Sequence, residues 1–331
     1  MMLPVNKIKL IRLAPANYVH NVWGGSWIPR LKGRRAPGYP VGESWEFSAH
    51  PAHPSRVVGA GKRSLAVVLK TPKIPFLVKL IDAQKNLSLQ VHPNNAYARA
   101  HEHDSGKAES WVILDASRKK NEGFIYLGFK STKKLNINKF LGVVREGHSK
   151  KILSFLNKIR VRPGDVYDLP PGTVHAIGRG VRLYEIQQTS NVTYRIWDWN
   201  RPDPKGARPL HLKKALDVLK LHIRSKELTA GSKILHKGWK AVESRLLLRP
   251  QYGYAVNRIQ FSARKALLNQ GDSKRFYVLT VVKGWAVFSL GAGKKSSLIS
   301  QGETVVIPKG LAKYSLESGA AESIILKCFI P

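Results

Sequence analysis

A turn, strand and turn unit occurs twice along this chain at one spacing. Gly164-Asp165, Pro170-Pro171-Gly172 and His175 are matched by Gly302-Glu303, Pro308-Lys309-Gly310 and Lys313, with the same offsets from glycine to proline to glycine. Glycine and proline punctuate a chain more strongly than any other residues, so each copy predicts a short strand between two turns. Repetition of such a unit predicts two related β-modules. The second copy has lysine where the first has histidine, so only the first module is expected to hold a metal. From about Ala241 onward, FYVLTVV, WAVFSL and GETVVIPKGLAKYSL are separated by turn residues. That spacing predicts an antiparallel barrel or sandwich.

Two stretches break the β pattern. Ile137, Phe140, Leu141 and Val144, then Ile152, Phe155, Leu156 and Ile159, recur at helical spacing, which predicts a helical insertion over 134–159. Leu212, Ala215, Leu216 and Leu219 repeat it in HLKKALDVLKL, a connecting helix. The expected organisation is therefore a metal-binding domain over 1–208, a connecting helix and linker over 209–240, and a second β-domain lacking metal ligands over 241–331. A chain of 331 residues has room for both. His50 and His53 in AHPAHP sit among prolines that disfavour a helix, and are read as loop residues.

Between Leu87 and Trp111 the chain concentrates chemistry. Alternate residues of a strand share a face, so Ser88, Gln90 and His92 point one way while Leu87, Leu89 and Val91 point the other. Further on, Lys107 and Glu109 lie two apart at the start of another extended run. An imidazole and a carboxylate, completed by the imidazole of His175, form a common ligand set for a divalent transition metal with an open position. Lys79, inside the apolar run FLVKLI, must lie on an edge or face something anionic. Later, LYEIQQTS places Glu185, Gln187 and Thr189 on one face.

Charge narrows the partners less than its size suggests. Lysine and arginine number 56 against 21 acidic residues, a net charge of +35, but they are spread along the chain with no RNA-binding or zinc-finger signature. Specific nucleic-acid binding is not expected, whereas a field of this sign draws in small anions. No run approaches the roughly 18 apolar residues of a membrane span, and no targeting segment is evident. The single cysteine, Cys328, excludes an intrachain disulfide and is read as a buried thiol in a reducing compartment. A cytoplasmic, monomeric protein without a membrane partner is expected.

Six blocks, in order, carry a family resemblance: VWGG, GESWEFSAHP, PFLVKLIDAQKNLSLQVHP, GKAESW, PGTVHAIG and EIQQTSNVTYRIWDWNR. Together they resemble the type I phosphomannose isomerases in their shorter bacterial form, members of the cupin superfamily. The resemblance implies a mainly β fold of two cupin barrels, one zinc ion per chain, and interconversion of mannose 6-phosphate and fructose 6-phosphate. It implies Gln90, His92, Glu109 and His175 as metal ligands. Lys79, Ser88, Lys107, Glu185 and Arg195 match residues lining the family's sugar-phosphate pocket. Two positions depart from the long-form enzymes: Asn191 replaces an aspartate, and Gly106 stands where histidine often precedes the lysine.

Aldose–ketose exchange moves a proton between C1 and C2 through an enediol, which calls for a base and for positive charge near the developing oxyanion. Arg195 and Lys107 suit the oxyanion; Glu185 or a water held by the metal suits the base; Ser88, Lys79 and Arg195 suit the phosphate. Two readings compete. A cupin iron oxygenase shares the two histidines and carboxylate, but the glutamine and pocket lysines argue against a dry oxygen site. A catalytically silent sugar-phosphate-binding cupin shares the fold, but would have no need to retain every ligand and pocket cation together.

Overall fold

The computed structural model describes residues 10–61, 63–71, 73–130, 136–202, 206, 208–221, 233–270, 274–290, 296–311 and 313–331. Lys134 and Leu135 of the expected insertion, and 222–232 of the expected linker, lie outside the described residues. Strands dominate the described chain, as the alternating runs predict. It forms two compact units: His20–Gly25 with Leu80–Thr229, the site unit, and Met1–Val19 with Ser26–Lys79 and Ala230–Pro331, the companion unit. These units interleave along the chain, where the sequence predicts consecutive domains. Strands Tyr18–Gly25 and Phe76–Ala83 each begin in one unit and end in the other. Local pattern does not reveal such sharing, because unit membership follows from which strands pair.

The site unit holds an antiparallel sheet ordered Tyr194–Trp197, Leu89–Val91, His175–Ile177, Phe124–Phe129, Leu156–Arg160. In its other sheet Glu109–Ala116 lies between Val181–Gln188 and Val166–Leu169. Trp111, Ile113, Ile125, Leu127, Tyr167, Ile177 and Leu183 form one apolar cluster drawn from both sheets, so the sheets face each other across it. The companion unit repeats the plan with a seven-stranded and a four-stranded sheet around a single core.

Helices occur close to where their spacing places them. Ile137–Glu146 is capped by Asn136 and buries Phe140, Leu141 and Val144; Leu212–Val218 buries Ala215 and Val218. The second predicted helix is cut short. Helix ends at Ser154, and Leu156–Arg160 instead pairs as a strand with Phe124–Phe129. An apolar period over four positions does not outweigh a whole ladder of cross-strand hydrogen bonds. Lys233–Gly238 is likewise a strand paired to Ala241–Arg249, not linker.

Both copies of the repeat have the backbone that their glycines predict, with Gly164 at φ 94° and Gly172 at φ 92°, Gly302 at 79° and Gly310 at 98°. Gly172 has a second constraint, because a Cβ there would lie 2.8 Å from the Val218 carbonyl oxygen. Its N–H donates to His92 O at 2.9 Å, tying this turn to the histidine strand. Gly172→Ala is therefore expected to lose about 1–3 kcal/mol of stability from left-handed strain alone. A thermal melt should show a drop of several degrees; an unchanged melting temperature would mean that the turn relaxes freely.

Candidate active site

Register places the chemistry in two facing rows. On one sheet Arg195 and His175 are each Cα partners of Gln90, so the three side chains share a face. Leu89, Val91, Ala176, Tyr194 and Ile196 occupy the other face and pack into a separate apolar cluster. This explains why a polar series alternates with an apolar one along SLQVH. On the facing sheet Glu109 partners Gln187 and Trp111 partners Glu185. Trp111 bridges the rows: its ring meets His175 edge-on at 5.4 Å between centroids, and its Nε1 donates to Glu185 Oε2 at 3.0 Å.

At the centre, His92 Nε2 lies 3.3 Å from Glu109 Oε2 and His175 Nε2 lies 3.1 Å from Glu109 Oε1. All three side chains are almost wholly buried. Each imidazole turns its other nitrogen to a backbone carbonyl, His92 Nδ1 to Val192 O at 3.0 Å and His175 Nδ1 to Thr173 O at 2.9 Å. A carbonyl only accepts, so Nδ1 carries the proton and the Nε2 lone pair points inward. Burial, reinforced by the Lys107 ammonium and opposed by Glu109, lowers the His92 pKa from 6.5 to about 3. Burial would by itself raise the Glu109 pKa, but His92, Lys107 and His175 outweigh it and hold the carboxyl well below its usual range. Lys107 Nζ stands 3.5 Å from Glu109 Oε2.

Acceptors consequently face acceptors. His92 Nε2 and both Glu109 oxygens are buried without a hydrogen bond, a condition that costs about 1–3 kcal/mol per group and more for a charged one. A divalent cation among them relieves all three, and two imidazoles with one carboxylate form a suitable set. Among the described residues this is the one group of histidine and acidic side chains with metal-ligand proximity. Lys313, the repeat partner of His175, is exposed.

The remaining expected residues are placed as follows. Gln90 presents its amide nitrogen to His175 Nε2 at 3.2 Å, while its oxygen accepts from Ser88 Oγ at 3.2 Å. Arg195 is half-buried, and NH1 donates to Pro209 O at 2.9 Å. Lys79 belongs to the companion unit, where Nζ pairs with Glu43 Oε2 at 3.1 Å and lies 4.3 Å from the Trp45 ring centroid, so it does face an anion. His53 and His50 lie in loops beside that same ring. Gly106 leaves no space for the histidine of long-form enzymes, since a Cβ would sit 2.4 Å from Asn95 N. Asn191 is exposed and donates its backbone N–H to Asp104 Oδ2 at 3.2 Å.

Sequence reasoning missed the groups that hold these side chains. The Val192 and Thr173 carbonyls carry no side-chain signal at all. Trp111 could have been found, because it stands two residues after Glu109 on the same strand face. Gln188, which accepts from Ala108 N at 3.0 Å and donates to Asn95 Oδ1 at 3.2 Å, ties the loop before Glu109 to the strand carrying Glu185.

Residues 10–110 match the family model for the phosphomannose isomerase type I catalytic domain. Mannose-6-phosphate isomerase ManA of Bacillus subtilis is 32% identical over 323 residues, covering 93% of this chain and 96% of that protein. The chain belongs to the mannose-6-phosphate isomerase family. A crystal structure of the mannose 6-phosphate isomerase from Bacillus subtilis superposes with a TM-score of 0.81 at 23% identity, covering 97% of this chain and 99% of the other. This shared cupin fold agrees with the mainly β architecture expected from sequence. A solved mannose 6-phosphate isomerase bound with zinc and yttrium aligns at a TM-score of 0.69 and 16% identity over 98% of this chain and 99% of its own.

The two copies of the turn repeat should differ in metal content. His175→Ala is expected to reduce the metal bound by purified protein to a small fraction of one equivalent, while Lys313→Ala leaves it unchanged. Elemental analysis of both variants checks this, and equal occupancy in the two would contradict the assignment.

Proposed function

We propose that the chain is a metal-dependent isomerase interconverting mannose 6-phosphate and fructose 6-phosphate by proton transfer through an enediol. The observation that carries this reading is the buried Glu109 carboxylate, unsatisfied and set against the Nε2 atoms of His92 and His175. Family membership supplies the substrate. His92, Glu109 and His175 would hold one zinc ion, with Gln90 as a fourth ligand once its amide turns so that the oxygen now accepting from Ser88 faces the site. The ion, when bound, supplies Lewis acidity toward a hydroxyl or carbonyl oxygen.

The chain's own residues would do the rest. Glu185 is proposed as the base that carries the proton between C1 and C2, its carboxylate oriented by the Trp111 indole N–H. Lys107 and Arg195 would meet negative charge as it develops on the sugar oxygens, since fixed cations in a buried site need no reorganisation. Ser88 is proposed to bind the phosphate; Lys79 keeps the same proposal on its motif alone. The protein is further proposed to act as a cytoplasmic monomer with no specific nucleic-acid partner. No helix among the described residues is long and apolar enough to cross a membrane.

Turnover of mannose 6-phosphate should be lost in strong chelator, with bound metal falling in parallel, and return with added zinc. Full turnover by metal-free protein would overturn the metal role. Oxygen uptake in place of isomerisation would favour an iron oxygenase, and sugar-phosphate binding without turnover by metal-loaded protein a silent cupin.

Arg195→Ala discriminates among three roles. If the guanidinium meets charge present only in the transition state, kcat should fall by about 100- to 1,000-fold, or ~3 kcal/mol, with KM little changed. Arg195→Lys should recover part of that loss, because it keeps the charge without the planar fork. A phosphate grip would instead raise KM. A purely structural role, through the bond to Pro209 O, would lower the melting temperature and spare kcat.

A further inference from the structure

Arg195 sits where its own sheet holds it least. Strand Tyr194–Trp197 is 4 residues long and forms the edge of the sheet. Its register against Leu89–Val91 shifts between Arg195 and Trp197. Irregularities of this kind bend a strand and re-aim its side chains, so this short ladder does not by itself fix the direction of the guanidinium. An edge strand also turns backbone N–H and C=O groups outward, where they need other partners.

Residues 209–211 supply those partners. His211 N–H donates to Arg195 O at 2.7 Å, and Arg195 N–H donates to His211 Nδ1 at 3.2 Å. Pro209 O accepts from Arg195 NH1 at 2.9 Å. One tripeptide therefore holds Arg195 both at its backbone and at the tip of its side chain. His211 occupies the N-cap position of helix Leu212–Val218, yet its imidazole makes no capping bond there. Serine, threonine, aspartate or asparagine would serve that helix better. Capping does not account for a histidine at this position, whereas the bond from Arg195 N–H does.

The clamp is itself anchored. His211 O accepts from Ala215 N–H at 2.8 Å, which builds it into the first turn of the helix. From that helix Lys214 Nζ donates to Glu102 Oε1 at 2.7 Å, and the same oxygen accepts from Tyr194 OH at 2.8 Å, so the residue before Arg195 is tied down as well. Accepting a backbone N–H requires a lone pair on Nδ1, which leaves the ring proton on Nε2. Burial, followed by the charges of Arg195 and Lys214, lowers the His211 pKa against the opposing pull of Glu102. The neutral ring that the bond needs is therefore the form present at pH 7.

We propose that His211 is a positioning residue for the isomerase reaction, holding Arg195 through its backbone N–H so that the guanidinium stays on the face shared with Gln90 and His175. This rests on the role proposed above for Arg195. A displacement of about 1 Å in a group that acts in the transition state can cost on the order of 100-fold in rate. His211 touches no reacting atom in this scheme, so its effect passes entirely through Arg195.

Two variants of the full, metal-loaded chain test this: His211→Ala removes the acceptor, and His211→Asn restores one, because its amide oxygen takes the place of Nδ1. Hydrogen exchange of the Arg195 amide, read by NMR, should lose its protection in His211→Ala and keep most of it in His211→Asn. His211→Ala should lower kcat at least ~10-fold with KM within about twofold of wild type, and His211→Asn should recover much of that loss. Bound metal should be unchanged in both. In an Arg195→Ala background His211→Ala should cost no further kcat, since the two act as a unit. Should His211→Ala fail to fold, His211→Leu, which also lacks an acceptor, takes its place against His211→Asn. The exchange measurement needs no turnover, so the two failures are distinct: wild-type protein without isomerase activity would count against the isomerase reading, whereas Arg195 exchange unaffected by loss of the acceptor would overturn this proposal. So would a kcat loss that adds in full to that of Arg195→Ala, or a lowered melting temperature with kcat spared.

Discussion

Glu109 is a carboxylate enclosed where it has no right to be stable alone. Two imidazole Nε2 atoms face its oxygens, and neither oxygen, nor His92 Nε2, has a hydrogen bond. Lys107 supplies one positive charge at 3.5 Å, which favours ionisation of the carboxyl but does not relieve His92. A cation bonded to all three is the simplest resolution. The rest of the site unit serves to keep this arrangement from relaxing. Carbonyls of Val192 and Thr173 fix both ring tautomers, and the turn at Gly172 holds the His92 backbone. Trp111 packs on His175 while orienting Glu185. The proposed metal ligand His175 and the proposed base Glu185 thereby contact one indole ring.

Much of this was legible in the sequence, and for a definite reason. Strand alternation is local, so the shared face of Gln90 and His92 and the row of Glu185 and Gln187 follow from counting by two. Glycines at φ near 90° are equally local, which is why the repeated turn could be read in both copies. What could not be read depends on pairing at long range. Nothing in LNKIR distinguishes a helix end from a strand until Phe124–Phe129 is available to pair with it. The interleaving of the two units, created by strands that begin in one and end in the other, is hidden for the same reason. Backbone carbonyls that set histidine tautomers have no sequence signature whatever.

The departures from long-form enzymes also acquire a physical meaning. Gly106 is enclosed by the backbone of Asn94 and Asn95, so the loop before Lys107 packs too closely to admit a histidine. This loop is instead fastened by amides, with Asn95 Oδ1 accepting from Gly106 N at 2.9 Å and from Gln188. Asp104 does the same for Ser190 and Asn191, each at 3.2 Å. Lys107 and Glu109 follow directly on this clamp. The loop before Lys107 is thus held by tight backbone packing that leaves no room for an imidazole at position 106.

X-ray absorption at the zinc edge on protein as purified, with the occupancy measured in parallel, tests the central claim most directly. The account predicts about one zinc per chain, with a coordination sphere of nitrogen and oxygen atoms at ~2.0–2.2 Å that includes two imidazoles. Those imidazole signals should disappear together in His175→Ala. Metal-free active protein, or zinc bound with no histidine scattering, would contradict it and leave the buried Glu109 carboxylate without an explanation.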